Sequence, residues 1–265
     1  MPKLSEVKLT DGLFSLFKGE PGTRKSTCAL SYPTPQYWFS TDMKMEALQL
    51  PAKRWGIPMD KIDFHDYNSW FEIEKKLKEF RVNCPYKTIM FDSITSLGDV
   101  MTDGVRNAKR IDGDKGKVIG GIQVSGLEEF NAESTAFKDM MKYSKDIAKY
   151  HKINVIIIAH VIGQRKDNDA NQHTHHSRII VSGAQQISAK IASYVTEAYH
   201  FNIEPSIDVD AEGKYALYTS HMGNDYARTS LPLPRKLTFN NDPLYDKFIL
   251  PAILKQEKET PVTKF

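Results

Sequence analysis

The stretch Gly19-Glu20-Pro21-Gly22-Thr23-Arg24-Lys25-Ser26-Thr27 constrains this chain more than any other. It follows an apolar run, Leu13–Phe17, that reads as a β-strand, and it opens a helical pattern starting at Lys25. A glycine-rich turn between strand and helix can wrap its backbone N–H groups round a phosphate chain, because glycine adopts conformations closed to other residues. The helix N-terminus adds a partial positive charge. The spacing is that of a Walker A motif, in which Lys25 reaches the β- and γ-phosphates of ATP and the Ser26 hydroxyl ligates Mg²⁺. One position departs from the pattern: Arg24 stands where the last glycine usually sits. The bland alternative is a glycine-rich turn with a chance Lys-Ser pair, and the strand-to-helix context argues against it.

Further along, Thr88–Phe91 is an apolar strand that ends in Asp92, a Walker B pattern that places a carboxylate beside the phosphate loop to hold Mg²⁺. The next residue is Ser93 rather than glutamate, so a catalytic base must come from elsewhere. Asp42, at the end of the second strand, can polarise an attacking water, with Glu46 as the reserve. Equally, Asp42 can be only an N-cap for the helix that follows. His160 ends the strand Ile157-Ile158-Ala159-His160. At that tip it either senses the γ-phosphate or is a satisfied strand-end histidine.

Strand-length apolar runs alternate with helical patterns: strands at Tyr37–Ser40, Ile62–Phe64 and Ile153–Ala159, helices at Met43–Trp55, Trp70–Phe80 and Leu127–Tyr150. This alternation predicts an α/β fold, a mainly parallel sheet covered on both faces. After Ser193 the pattern turns to short β runs, Tyr199–Ile203, Tyr215–Ser220 and Ala227–Leu231, with a turn at Asp210–Gly213, so antiparallel strands are expected near the C-terminus. Two polar stretches, Lys109–Ser125 and Gly163–Arg178, read as long loops. The expected organisation is one domain over residues 1–255 and a disordered tail over 256–265.

Composition adds exclusions. The chain has 265 residues, 40% hydrophobic and 26% charged, which rules out a fibrous or wholly disordered protein. Two cysteines, Cys28 and Cys84, cannot build a disulfide framework or a four-thiolate zinc site. The opening MPKLSEVKLTDG has no apolar run and no stretch is long enough to span a bilayer, so an intracellular, cytoplasmic protein without a membrane partner is expected. A net charge of +3, from 36 basic and 33 acidic side chains, does not by itself point to nucleic acid.

Taken together, the phosphate loop at Gly19–Thr27, the segment Phe91-Asp92-Ser93-Ile94-Thr95-Ser96-Leu97, the polar-tipped strand at His160 and the segment Val181–Ser188 resemble the RecA-like P-loop ATPases. Within that group the chain is most similar to phage-encoded RecA-like nucleotide-binding proteins, some of them single-strand annealing or recombination ATPases. The resemblance covers about residues 10–235. It implies an ATP- and Mg²⁺-dependent homo-oligomer, a ring or filament, that binds single-stranded DNA through two loops. The first matches Lys109–Ser125, with Lys109, Arg110, Lys115 and Lys117; the second matches Gly163–Arg178, with Arg165, Lys166 and Arg178. His173, His175 and His176 are compatible with backbone contacts or base stacking; a zinc site there lacks a fourth ligand. The resemblance further implies that Arg228, in Tyr226-Ala227-Arg228, is either a finger completing a neighbour's site or a surface arginine. If phage-encoded, the protein would work in the cytoplasm of a host bacterium. Two other functions stay open: a nucleotide-binding module that does not hydrolyse, motivated by Arg24 and Ser93, and a P-loop small-molecule or nucleotide kinase.

Overall fold

Strand β1 (Phe14–Gly19), every residue of it buried, lies inside a mainly parallel sheet. The computed structural model describes residues 12–111, 117–119, 122–124, 127–167, 173–179, 185–204, 214–221, 225–240 and 242–259, with side chains throughout except at 105–130, 163–178 and 185–189. Helix α1 (Lys25–Leu30) follows β1, then β2 (Gln36–Ser40), α2 (Gln49–Trp55), β3 (Ile62–Asp66), α3 (Trp70–Val82), β4 (Thr88–Asp92) and α4 (Ile94–Ile111). After a two-stranded hairpin, β5 (Lys117–Ile119) with β6 (Ile122–Val124), come α5 (Leu127–His151), β7 (Asn154–Asp167), β8 (His173–Ile179) and α6 (Gln185–Tyr194). Then follow β9 (Glu197–Glu204), β10 (Lys214–Tyr218), β11 (Lys236–Phe239) and α7 (Leu250–Glu259).

The strand order is β11-β10-β9-β1-β7-β4-β2-β3. From β9 to β3 every pairing is parallel; β9–β10, β10–β11 and β7–β8 are antiparallel. Successive side chains of a strand point to opposite faces, and here both faces are apolar. Phe14, Leu16, Val155, Ile157, Ile89 and Phe91 meet α3, α4, α5 and α6 on one side. On the other, Phe17, Ile156, Ile158, Met90, Trp38 and Phe201 meet α1, α2 and α7. Continuous rather than alternating hydrophobicity in β1, β4 and β7 is what burial on both faces demands.

Several expectations need correction. The stretch Lys109–Ser125 is not a plain loop: α4 carries Lys109 and Arg110, and Lys117 lies in the β5–β6 hairpin. Lys115 lies outside the described residues. Val118, Ile119, Ile122 and Val124 flanking Gly120-Gly121 carry a hairpin signal that the surrounding lysines and aspartates obscure. Within Gly163–Arg178, residues 163–167 and 173–178 form a β-ribbon, and 168–172 lie outside the described residues. Strand β7 continues past His160 to Asp167 and pairs with β8 from Val161↔Ile179 to Asp167↔His173. β1 pairs with β7 only as far as Gly19↔His160, and the polar sequence beyond carries no apolar alternation, so hydrophobic periodicity does not reveal the ribbon.

Ala227–Leu231 is not a strand. Arg228 alone pairs, exchanging both backbone bonds with Ala198 at 2.9 Å. The neighbouring residues are held by the fully buried Glu197, which accepts from Thr229 Oγ1 at 2.6 Å, Ser230 N at 3.0 Å, Tyr199 Oη at 2.9 Å and the Ser230 hydroxyl. A buried carboxylate is tolerated only when donors of this kind surround it. At the C-terminus α7 buries Ala252 and Ile253, so residues 256–259 are helical rather than tail; 260–265 and the predicted turn at Asp210–Gly213 lie outside the described residues. The predicted helix Met43–Trp55 is a 3₁₀ turn, Met45–Leu48, followed by α2, which Gly56 ends in the left-handed region at φ 64°.

Candidate functional site

The phosphate loop leaves β1 at Gly19, where a Cβ would lie 2.4 Å from the Phe201 carbonyl oxygen; β9 approaches so closely that only glycine fits. Gly22, at φ 81°, makes the turn. Lys25, 4% exposed, folds over the loop and donates to the Gly19 carbonyl at 2.9 Å, the Glu20 carbonyl at 2.8 Å and Thr23 Oγ1 at 3.3 Å. Thr23 Oγ1 in turn donates to the Glu20 carbonyl at 2.7 Å. These contacts hold the ammonium in the mouth of the turn that Gly19, Glu20, Pro21, Gly22 and Thr23 form. Burial lowers the Lys25 pKa to about 8, although Asp92, Asp42 and Glu20 oppose it. An anion in the loop would restore the full charge.

Asp92 closes β4 at the same end of the sheet, and the Ser26 hydroxyl donates to its carboxylate. Burial raises the Asp92 pKa, against the hydrogen bond from Ser26. A hydroxyl and a half-buried carboxylate side by side are the oxygen donors a hard divalent cation takes, so Ser26 and Asp92 fit Mg²⁺.

The ends of β2 and β4 and the middle of β7 are tied together here by the first turn of α4. Ser93 Oγ donates to Asp42 Oδ1 at 3.1 Å, and the Ser96 hydroxyl donates to the same oxygen. Thr95 Oγ1 accepts the backbone N–H of His160 at 3.0 Å, and Thr41 Oγ1 donates to the Ser93 carbonyl at 2.8 Å. His160 Nε2 stands 3.5 Å from Asp42 Oδ2. Asp42 therefore does not cap a helix; Lys44 is the cap residue of the turn that follows. Burial works against ionisation of Asp42, but the hydrogen bonds from His160 and Ser93 outweigh it and hold the carboxyl below its ordinary value. Asp42 and His160 are legible in the sequence as polar residues closing apolar runs; Thr95 and Ser96 fall in the segment Phe91–Leu97, but their partners, His160 and Asp42, are not legible there.

Arg24 resolves the anomaly of the loop. It adopts the left-handed conformation, φ 64°, that glycine usually supplies. An L-residue there costs about 1–2 kcal/mol. Two anchors offset this: the guanidinium lies 3.9 Å from the centre of the Tyr215 ring and donates to the Asn240 carbonyl. A stacked cation contributes about 0.5–1 kcal/mol and a charged hydrogen bond about 1.5–3 kcal/mol, so the substitution is affordable. Beside it opens a cavity of about 130 Å³, whose wall includes Arg24, Thr27, Arg54, Trp55, Phe239 and Asn240.

Other predicted site residues are not brought in. Glu46 is exposed and lines a separate cavity with Met45, Met59 and Phe64. Arg228 donates to the Val195 carbonyl and has its guanidinium 5.9 Å from the centre of the Tyr226 ring. By register Val195 is level with Leu13, six residues below Gly19, so the Arg228 guanidinium is about 20 Å from its own phosphate loop. The backbones of Lys109, Arg110, Lys117, Arg165, Lys166, Arg178, His173, His175 and His176 fall on α4 and the two ribbons, and their side chains lie outside the described residues.

A phosphate loop at the tip of β1, a carboxylate at the tip of β4 and a single strand, β7, between them define a P-loop NTPase with a RecA-like fold. The chain belongs to the AAA domain family: a family model of that description matches residues 15–231. It is an ATPase-type nucleotide-binding domain. No curated protein matches the chain. Among solved structures, a KaiC-like protein from the hyperthermophilic archaeon Pyrococcus horikoshii OT3 is similar at 15% identity, with a TM-score of 0.48, over 88% of this chain and 87% of that one. Among the described residues no helix is long and apolar enough to cross a membrane.

Proposed function

We propose that this protein hydrolyses ATP with Mg²⁺ and binds single-stranded DNA under nucleotide control, as a ring or filament of one domain per copy. The reading places it in recombination, annealing or replication, phage-encoded and active in the bacterial cytoplasm. The observation that carries hydrolysis is the meeting of Lys25, Ser26, Asp92, Asp42 and His160 at one end of the sheet. Water attacks the γ-phosphorus in line, the bond to the bridging oxygen breaks, and the water's proton passes to Asp42 through Oδ2, the oxygen with the longer contact. Lys25 balances the charge that develops on the phosphate oxygens. Mg²⁺, held by Ser26 and Asp92, would neutralise the same oxygens. His160 exchanges Asp42 for the γ-phosphate and so passes nucleotide state along β7 into the β7–β8 ribbon. Arg228 faces away from its own loop, so the site it would complete is a neighbour's.

The DNA reading is supported by placement: β7 runs from His160 into the ribbon holding Arg165, Lys166 and Arg178, and α4 runs from Ser96 toward the hairpin holding Lys117. Acidic residues in the same stretches, Asp112, Asp114, Asp167 and Asp169, favour salt-sensitive, nucleotide-gated binding over a permanent clamp. A second reading, a non-hydrolysing clamp, is favoured by one observation: Ser93, Ser96 and His160 already occupy both oxygens of Asp42. Electron microscopy and fluorescence anisotropy with labelled single-stranded DNA, in ADP and in a non-hydrolysable ATP analogue, test the DNA role. Rings or filaments with tighter DNA binding in the analogue support it; identical weak binding in both states contradicts it.

A further inference from the structure

The strand order fixes the direction in which a nucleotide must lie. Asp92 is on β4, to one side of β1, and the γ-phosphate end points there. The nucleoside end then leaves the loop toward β9, β10 and β11, on the other side of β1. On that side Arg24 is fixed between the loop and the C-terminal strands, its guanidinium 3.9 Å from the centre of the Tyr215 ring of β10 and bonded to the carbonyl of Asn240 just after β11. The cavity of about 130 Å³ lies between Arg24 and Thr27, Arg54 and Trp55 of α2, and Phe239 and Asn240 at the end of β11. Its size suits one planar heteroaromatic ring system, and its wall offers a guanidinium and an indole.

We propose that Arg24 is a base-recognition residue: backed by Tyr215, its guanidinium plane forms the wall against which the nucleobase of the bound nucleotide stacks, so that a residue of the phosphate loop itself selects for a nucleoside over bare polyphosphate. The inference rests on the nucleotide-binding reading above. A planar, delocalised cation stacks on an aromatic ring with either face, whereas an ammonium offers only a point charge. The Arg24 Cζ lies over the Tyr215 ring, and the same side chain lines the cavity.

Replacement by lysine keeps the charge and removes the plane, so it separates stacking from phosphate attraction. Isothermal titration of the full chain with ATP and with inorganic tripolyphosphate, both with Mg²⁺, is the test. For Arg24→Lys the expected result is about a tenfold loss for ATP, the equivalent of one stacking contact, with tripolyphosphate within about twofold of wild type. Tyr215→Leu, which leaves the loop sequence intact, is expected to reproduce the selective loss; melting curves check that each variant folds, and Arg24→Lys alone decides if Tyr215→Leu does not. Quenching of Trp55 emission by ATP but not by tripolyphosphate, identified by its absence in Trp55→Phe, supports the same placement. Equal losses for both ligands, or full ATP affinity in Arg24→Lys, overturns the inference and leaves the nucleotide-binding reading standing. Wild-type protein that binds neither ligand overturns both.

Discussion

Asp42 Oδ2 stands 3.5 Å from His160 Nε2, and this contact joins the end of β2 to the middle of β7 across β4. The acid that would take the proton of the attacking water is thus in touch with the residue just before the β7–β8 ribbon. On the other side of Asp42, Ser93 and Ser96 fix Oδ1 through the first turn of α4. One carboxylate is held from two elements, each of which leads to a basic ribbon or hairpin.

Asp42→Asn is expected to keep nucleotide affinity and lose turnover, because the amide cannot accept a proton yet fills the same space. Ser96→Ala removes one hydrogen bond to a charged group, worth about 1.5–3 kcal/mol, and is expected to lower kcat about tenfold or more with KM little changed. Steady-state kinetics on both variants checks this, and unchanged kcat in Asp42→Asn contradicts the assignment of the base.

His160→Ala is expected to bind ATP as tightly as wild type but to show the same DNA affinity in ADP and in an ATP analogue. Anisotropy titrations read this directly. A variant that still distinguishes the two nucleotides by DNA affinity would show that the signal travels by another route.

Glu133 on α5 gives a pH dependence that does not involve the site. It is fully buried, and neither carboxylate oxygen has a hydrogen-bond partner among the described residues; the nearby Thr102 commits its hydroxyl proton to the Gly98 carbonyl at 2.9 Å. Burial, followed by the charge of Asp99, raises its pKa from 4.5 to about 8. The folded state therefore holds the proton more tightly than the unfolded chain. The stability associated with this group is greatest below the ordinary value and declines as pH rises from there through about 8. Glu133→Gln is expected to flatten that decline. Urea melts from pH 5 to pH 9 test it: parallel curves for wild type and variant would mean that Glu133 does not titrate in this range.

The central sheet is legible in the sequence because strands buried on both faces are written as uninterrupted apolar runs, as in Ile89-Met90-Phe91 and Val155–Ala159. The phosphate loop and Asp92 are legible because their chemistry fixes both residue type and context. The β7–β8 ribbon is not, since its sequence from Gly163 to Arg178 shows no apolar alternation. Nor are the contacts that tune the site. Ser96 with Asp42 is separated by 54 residues, and Arg24 with Asn240 by 216. Arg24 reads in sequence as a defect in the motif, and only the placement of Tyr215 and Asn240 shows where its side chain goes.

The most direct measurement is ATP hydrolysis by wild type and Lys25→Ala, with and without single-stranded DNA, alongside equilibrium nucleotide binding. Measurable turnover by the wild type, acceleration by single-stranded DNA, and loss of both binding and turnover in Lys25→Ala are expected, because no other buried cation is placed in the mouth of the loop among the described residues. A wild-type protein that binds no nucleotide, or a Lys25→Ala variant that hydrolyses ATP at the wild-type rate, would contradict the proposed function.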